Sequence, residues 1–427
     1  MEVLFFFGLW FLLMIIDIPI AFSMLIASTV FLIQQGDRLI AIPQRLMAGP
    51  NNFPILAIPF FVLAGLLMNL AGITDRIFKF CIAVVGHFTG SLGHVNVLAS
   101  MIFAGMSGSG AADAAGLGTI ELAAMRKEGY DDDFNVGVTL GSATIGPIIP
   151  PSIPMVVYGS VAGVSVGALF VGGVIPGILM GLTLMVMVYV IAKRRNYPKH
   201  RRATFRELVR STRDAFWALM TPIVVLVGIV FGVFTPTEAA IITVAYALFL
   251  GIFVYRELDF LLLRSVLLES IETTSVVLFI MAAATLFAWI ITRQQVPTLI
   301  MAKLLAISRD PLILLLLIDV FLLIVGCFMD GNAALIILVP VFMPLLKVVG
   351  ISPVFFGVVA VLNFQIGALT PPVGSYLYIM TRVASMSFED VVKATMPWLI
   401  PLFIVLLAIT VYPPLVMWLP TLLGLGK

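Results

Sequence analysis

Apolar residues run through this chain in long blocks, and polar residues break only some of them. Blocks at 54–72, 168–192, 216–234, 238–254, 268–291 and 394–419 are continuous. They read as helices that cross a bilayer, which takes about 20 apolar residues. Four other stretches are interrupted by glycine, proline and short polar residues. In 91–128 the interruption is Gly105–Gly118, and in 311–348 it is Asp330-Gly331-Asn332. Both predict re-entrant helical hairpins, tolerated at membrane depth when the tip faces protein or water. In 133–163 the break lies at Gly146–Pro151, and in 353–383 at 366–375. Both predict half-helices joined by unwound backbone, because proline removes an amide donor and exposes upstream carbonyls. Residues 73–90 read as a connecting arm along the surface. Asp17 and Pro19 leave the first 35 residues open between two short spans and one long bent span.

The interruptions recur at a constant offset of 221 positions. Gly105 falls on Gly326, Gly110 on Gly331, Gly146 on Gly367, Pro150-Pro151 on Pro371-Pro372 and Pro176 on Pro397. A duplicated chain with two broken membrane segments points to a secondary transporter whose site lies between the repeats.

Composition narrows the class. Hydrophobic residues make up 61% of the 427 and charged residues 11%, and the mean hydropathy is +1.17. That is a polytopic membrane protein. Continuous runs such as Ile313–Cys327 exclude a β-barrel, whose strands alternate over about ten residues. The N-terminus lacks a basic region and a cleavage site, so no removable signal peptide is read. Cys81 and Cys327 lie in apolar runs and read as small hydrophobes.

The net charge of +2 matters less than its distribution. The basic stretch from Lys193 to Arg213 is cytoplasmic by the positive-inside rule. Threading from it places the first hairpin's base and residues 126–133 at the cytoplasmic face. The second hairpin opens from the outside, so the repeats have opposite orientations. The organisation expected is N-terminal helices in 1–53, a first inverted repeat in 54–192, a cytoplasmic linker in 193–213, connecting helices in 214–264 and a second repeat in 265–427. The fold class is an all-α polytopic membrane protein with two inverted-topology repeats, each holding a re-entrant hairpin and a discontinuous helix.

Hydroxyl, carboxylate and freed carbonyl oxygens suit a hard cation such as sodium. One candidate cation site combines Ser107, Gly108, Ser109, Gly110 and Asp113 with Ser142, Thr144, Gly146 and Pro150. The other combines Asp330, Gly331 and Asn332 with Gly367, Thr370, Pro371, Gly374 and Ser375. A substrate between them would meet Ser109, Ala111, Pro151, Ser152, Asn332 and Pro372. Half-helix N-termini such as Ala111–Ala115 favour a carboxylate. The plainer readings stand beside these: Asp113 and Asp330 as helix caps, Ser107 and Ser109 as packing residues, Pro-Pro as a kink. Asp319 has Leu98 at its offset partner and reads as a structural hydrogen bond or ion pair. On the outer face, Glu238 and Arg293 are isolated charges placed to orient a soluble partner.

The stretches 103–116, 137–160 and 326–378 resemble the large membrane subunit of tripartite ATP-independent periplasmic (TRAP) transporters, within the wider ion-transporter superfamily. The resemblance covers nearly the whole chain. It implies an elevator-type carrier in the bacterial inner membrane, not an enzyme. It implies coupling to two or more Na+ ions with no organic cofactor, and a separate four-helix small membrane subunit. A soluble periplasmic binding protein would deliver an organic carboxylate of the sialic acid or C4-dicarboxylate class. On the family pattern, Ser107, Ser109 and Asp113 match the first sodium-site residues and Asp330 the second. A carboxylate–cation symporter of the same fold without a binding protein is the alternative. An intramembrane serine protease built on Gly105-Met-Ser107-Gly finds no base: His87 and His94 sit at the hairpin base and His200 in the linker. A channel would show rings of charge or a repeated filter, and nothing in the sequence suggests nucleic-acid binding.

Overall fold

A computed structural model describes residues 2–426. Every element among them is helical, and eight segments are long and apolar enough to cross a membrane. The chain opens with α1 (Glu2–Ile15) and α2 (Ile20–Gln34). Asp17 turns between them at a φ of 66°. The Phe6 ring lies 5.1 Å from Phe31, so the two pack antiparallel as short helices rather than one bent span. After α3 (Ala41–Ala48), a 3-10 turn at Phe53–Leu56 leads into α4 (Ala57–Leu70), followed by α5 (Ile73–Val85).

Next come α6 (Ser91–Ser107), α7 (Gly110–Ala115) and α8 (Leu117–Lys127). Asn96 on α6 bonds Glu121 on α8, so they fold back as a hairpin with its tip at Gly108-Ser109. α9 (Asp132–Ala143) and α10 (Ile153–Ala162) are separated by the unwound residues 144–152. α11 (Val166–Arg195) follows. Beyond the linker lie α12 (Phe205–Val230), α13 (Pro236–Phe249), α14 (Phe260–Arg293) and α15 (Val296–Ile307). α12 and α13 both start with capping boxes, Thr204 with Glu207 and Thr235 with Glu238, which satisfy otherwise orphaned amides.

α16 (Pro311–Phe328) and α17 (Gly331–Val349) form the second hairpin, with Phe321 and Phe342 in edge contact at 5.9 Å. α18 (Pro353–Gly367) and α19 (Ser375–Ala384) flank a second unwound stretch. The single last helix read over 394–419 is replaced by α20 (Phe388–Thr395), α21 (Leu399–Val411) and α22 (Pro414–Leu422). The break at Tyr412-Pro413-Pro414 follows from proline's missing N–H and its steric demand on the residue before it.

Buried polar bonds hold each hairpin to its neighbouring broken helix. Asn96 donates to Glu121 Oε2 (2.7 Å) and Thr139 Oγ1 (2.8 Å) and accepts from Ser142 Oγ (2.7 Å), which links α6, α8 and α9. In the second half, Asn363 on α18 and Thr410 on α21 each donate to Asp319 on α16 at 2.8 Å. This is the structural bonding expected of Asp319. At the basic end, Arg195 pairs with Asp131 (3.1 Å) and Asp133 (2.7 Å), and the Pro198 carbonyl accepts from the amides of Gly90 and Ser91. Burial and a hydrogen bond to Asp131 push the Tyr197 hydroxyl up to about 12. Arg126, at the end of α8, donates to the Ala384 carbonyl at 2.6 Å and so ties the first hairpin to α19.

The first hairpin meets α4 and α12 differently. A Cβ on Gly65 of α4 would lie 3.1 Å from Ser107 Cα, and one on Gly105 would lie 2.4 Å from Pro222 Cβ of α12. Among the described residues no hydrogen bond joins this hairpin to either helix.

Candidate functional site

The first tip is built around Asp113. Gly108, at a φ of 62°, ends α6 in the left-handed region, and Ser109 caps α7 by accepting from the Ala112 amide. Ser107 Oγ donates to Asp113 Oδ1 at 2.5 Å. The second carboxylate oxygen, Oδ2, is buried with no partner in the chain. It faces Gly146: a Cβ there would lie 2.4 Å from Oδ2 and 3.3 Å from the Ala143 carbonyl. An unpaired buried carboxylate oxygen is costly. With the Ser107 hydroxyl beside it and the Ala143 carbonyl across Gly146, the donor set fits a small monovalent cation. Among the described residues no three acidic, histidine or cysteine side chains cluster as a metal site.

The second tip starts α17 with Asp330, whose Oδ1 accepts from the amides of Asn332 (2.9 Å) and Ala333 (3.3 Å). Ser109 and Asp330 lie one offset apart, and each caps the helix that follows its tip. Each hairpin is also stitched to its broken helix. The Ile153 amide donates to the Gly108 carbonyl, and the amides of Val373 and Gly374 donate to the Cys327 carbonyl. Tyr376 Oη donates to Gln365 Oε1 at 2.5 Å, and a Cβ on Gly110 would lie 2.5 Å from that hydroxyl.

The tips converge on a cavity of about 100 Å3. Its wall includes Gly108, Ser109, Gly110 and Ala111 from the first tip, Asp330, Gly331 and Asn332 from the second, and Ser375. It adjoins a vestibule of about 350 Å3 that adds Ser107, Asn69 of α4 and Glu269 of α14; Ser109, Ala111 and Thr273 line both.

Several expected residues also have partners within the chain. Ser142 bonds Asn96, and Thr144, just past the end of α9, donates back to the Gly141 carbonyl of that helix. Ser152 caps α10 and donates to the Pro147 carbonyl at 2.5 Å. Thr370 donates to the Ile366 carbonyl. The Pro150 carbonyl oxygen would lie 3.6 Å from a Cβ on Gly105. Gly367 sits against the backbone of Gly326, where a Cβ would come within 2.7 Å. Pro151, Ser152, Pro371, Pro372 and Gly374 lie outside the cavity wall. Glu238 accepts from Thr235 in its capping box, and Arg293 pairs with Asp37 at 2.5 Å, so each of these exposed charges has a local partner. Cys81 and Cys327 are free thiols. Ser107 is paired with a carboxylate and not with a histidine.

Gln365, Tyr376, Thr273, Asn69 and Glu269 enter the site unannounced. Gln365 and Tyr376 flank the second break directly, and their polarity beside it was the available signal. The other three come from helices remote in sequence.

These features define a multi-pass helical membrane protein with paired, interrupted membrane segments, and the comparisons with known proteins give its family. The family described as the DctM component of tripartite ATP-independent periplasmic transporters matches residues 7–415, and the chain belongs to it. The sialic acid TRAP transporter large permease protein SiaM of Vibrio cholerae is 47% identical over 420 residues, 98% of each chain. The C4-dicarboxylate large permease protein DctM of the same organism is 37% identical over 96% of each chain. The 2,3-diketo-L-gulonate large permease protein YiaN of Escherichia coli is 40% identical over 94% of this chain and 95% of its own. Among solved structures, the YdaH transporter of Alcanivorax borkumensis shares the fold, with a TM-score of 0.59 at 15% identity, covering 88% of this chain and 89% of that one.

Proposed function

We propose that this chain is the large permease subunit of a sodium-coupled importer of an organic carboxylate. The observation that carries the reading is the meeting of both tips, with Ser109 and Asp330, on one small cavity. Asp113, Ser107 and the backbone around Gly146 hold one sodium ion as cargo. Asp330, with the tip and the unwound stretch of the second half, holds another. The carboxylate of the substrate lies between, against Gly110, Ala111 and Asn332. Closing charges of opposite sign around the substrate makes loading cooperative, because each ion lowers the cost of burying the others.

The two halves act as inverted repeats, and their hairpins and broken helices move together as the carried body of an elevator. α4, α12, α13 and α14 form the static wall that grips a small four-helix membrane subunit. A soluble periplasmic protein delivers the substrate on the outer face, where Glu238 and Arg293 orient it. The higher identity to SiaM than to DctM favours sialic acid over C4-dicarboxylates.

The test is uptake of labelled sialic acid and a labelled C4-dicarboxylate into proteoliposomes, with sodium, the small subunit and the binding protein each omitted in turn. Sialic acid uptake that needs all three is the expected result. Uptake by this chain alone, or without sodium, would overturn the reading.

A further inference from the structure

The cytoplasmic end of α12 carries a basic face that the rest of the chain leaves open. At about 100° of turn per residue, Arg206, Arg210 and Arg213 fall within about 60° of one another around the helix. All three are exposed. Among the described residues none of their side chains has an ion pair or a hydrogen bond, whereas Arg195 and Arg201 of the same basic stretch are paired with Asp133 and Glu207. Phe205, Val209, Phe216 and Trp217 lie on the same side, and Phe205 is 83% exposed and Trp217 47%. The buried residues Ala215 and Ala218 point the opposite way, toward the protein. Of the nearby acids, Glu207 is taken up by the Thr204 cap and Arg201, and Asp214 sits at the edge of the face with no ion pair.

The same side of α12 continues into the bilayer as exposed aliphatic surface, at Ile223, Val224 and Val227. Tryptophan settles at the membrane–water boundary. Arg213 and Arg210 lie about 6 and 10 Å from Trp217 toward the cytoplasm, at 1.5 Å per residue. A headgroup layer is about 5–8 Å deep, so both guanidinium groups reach it from their flexible stems. A soluble partner cannot follow such a face into the hydrocarbon. A membrane subunit could, but the positive-inside rule places lysine and arginine at its cytoplasmic end too, and like charge would meet like charge. An anionic phospholipid matches both parts, its phosphate against the arginines and its acyl chain against the aliphatic stretch. We infer that this face of α12 is a binding site for anionic phospholipid of the cytoplasmic leaflet, with Arg206, Arg210 and Arg213 holding the phosphate. It would anchor the helix against which the first hairpin packs at Pro222. The inference rests on the membrane location and not on the coupling ion.

Native mass spectrometry of the full chain loaded with phosphatidylglycerol or with phosphatidylcholine, with and without a small membrane subunit, tests it. The parent should retain several-fold more phosphatidylglycerol than phosphatidylcholine. Arg206→Gln, Arg210→Gln and Arg213→Gln combined, or the last two alone if the three together do not fold, should cut retained phosphatidylglycerol several-fold and leave phosphatidylcholine unchanged. Lys193→Gln, Arg194→Gln and Lys199→Gln combined remove the same charge from exposed positions outside the face, and should keep the parent's retention. Equal retention of the two lipids by the parent, or equal loss in the two variants, would overturn the inference. So would loss of phosphatidylglycerol when the small subunit binds, which would give the face to protein.

Discussion

Gly146→Ala is a sharp probe of the first cation site proposed above. The added methyl would lie 2.4 Å from Asp113 Oδ2, where ordinary contact begins near 3.4 Å, so the carboxylate must retreat by about 1 Å. The backbone at 146 is not in the left-handed region, so the methyl alone is the perturbation. Overpacking of this kind costs about 1–3 kcal/mol. The retreat also strains the 2.5 Å bond from Ser107, and bonds to a charged group contribute about 1.5–3 kcal/mol. Together these come to about 2.5–6 kcal/mol, and at about 1.4 kcal/mol per factor of ten sodium affinity should fall by at least roughly 60-fold. The assay is uptake into proteoliposomes against sodium concentration, with the amount of folded protein checked by size-exclusion chromatography. Gly367→Ala, one offset away, is the contrast. There the methyl meets backbone atoms of Gly326 at 2.7 Å, which cannot swing aside, so the expected loss is in thermal stability. Folded Gly146→Ala protein with the parent's sodium dependence would refute the placement of an ion beside Asp113.

Asp330→Ala removes a cap of about 1 kcal/mol and should leave the protein folded, yet abolish sodium-dependent uptake; retained uptake would remove the second cation site. Ser152→Ala should lower the unfolding temperature, in line with a cap of about 1 kcal/mol, while substrate and sodium concentration dependence stay unchanged, since its hydroxyl is already committed to Pro147 and Met155. Asn363→Ala leaves buried Asp319 with Thr410 as its remaining donor and should cost about 1–3 kcal/mol in denaturation measurements; an unchanged midpoint would show that the bond to Asn363 does not hold α16 to α18.

Much of this was legible because helix breakers in apolar runs are rare and loud. Gly108-Ser109 and Asp330-Gly331 fall at tips, and the stretches around Gly146 and around Pro371-Pro372 are unwound, where their chemistry leaves little else to do. What stayed hidden depends on pairing across helices. Ser142 and Thr144 are readable as candidates because they are polar beside a break, but that Ser142 also bonds Asn96 and Thr144 the Gly141 carbonyl is visible only in the packed hairpin. Asn69, Glu269 and Thr273 reach the vestibule from α4 and α14, and no local pattern marks them. The split at Tyr412 was signalled by Pro413-Pro414, but the uninterrupted apolar composition around it outweighed that signal.

The bare contacts at Gly65–Ser107 and Gly105–Pro222 have a mechanical meaning. Where Ser107 abuts Gly65 and Pro222 abuts Gly105 there is no directional bond to rupture, so the elevator motion proposed above would let one surface slip along the other there with dispersion lost behind and regained ahead. A single polar cross-link placed there, such as a serine at Gly65, would act as a brake.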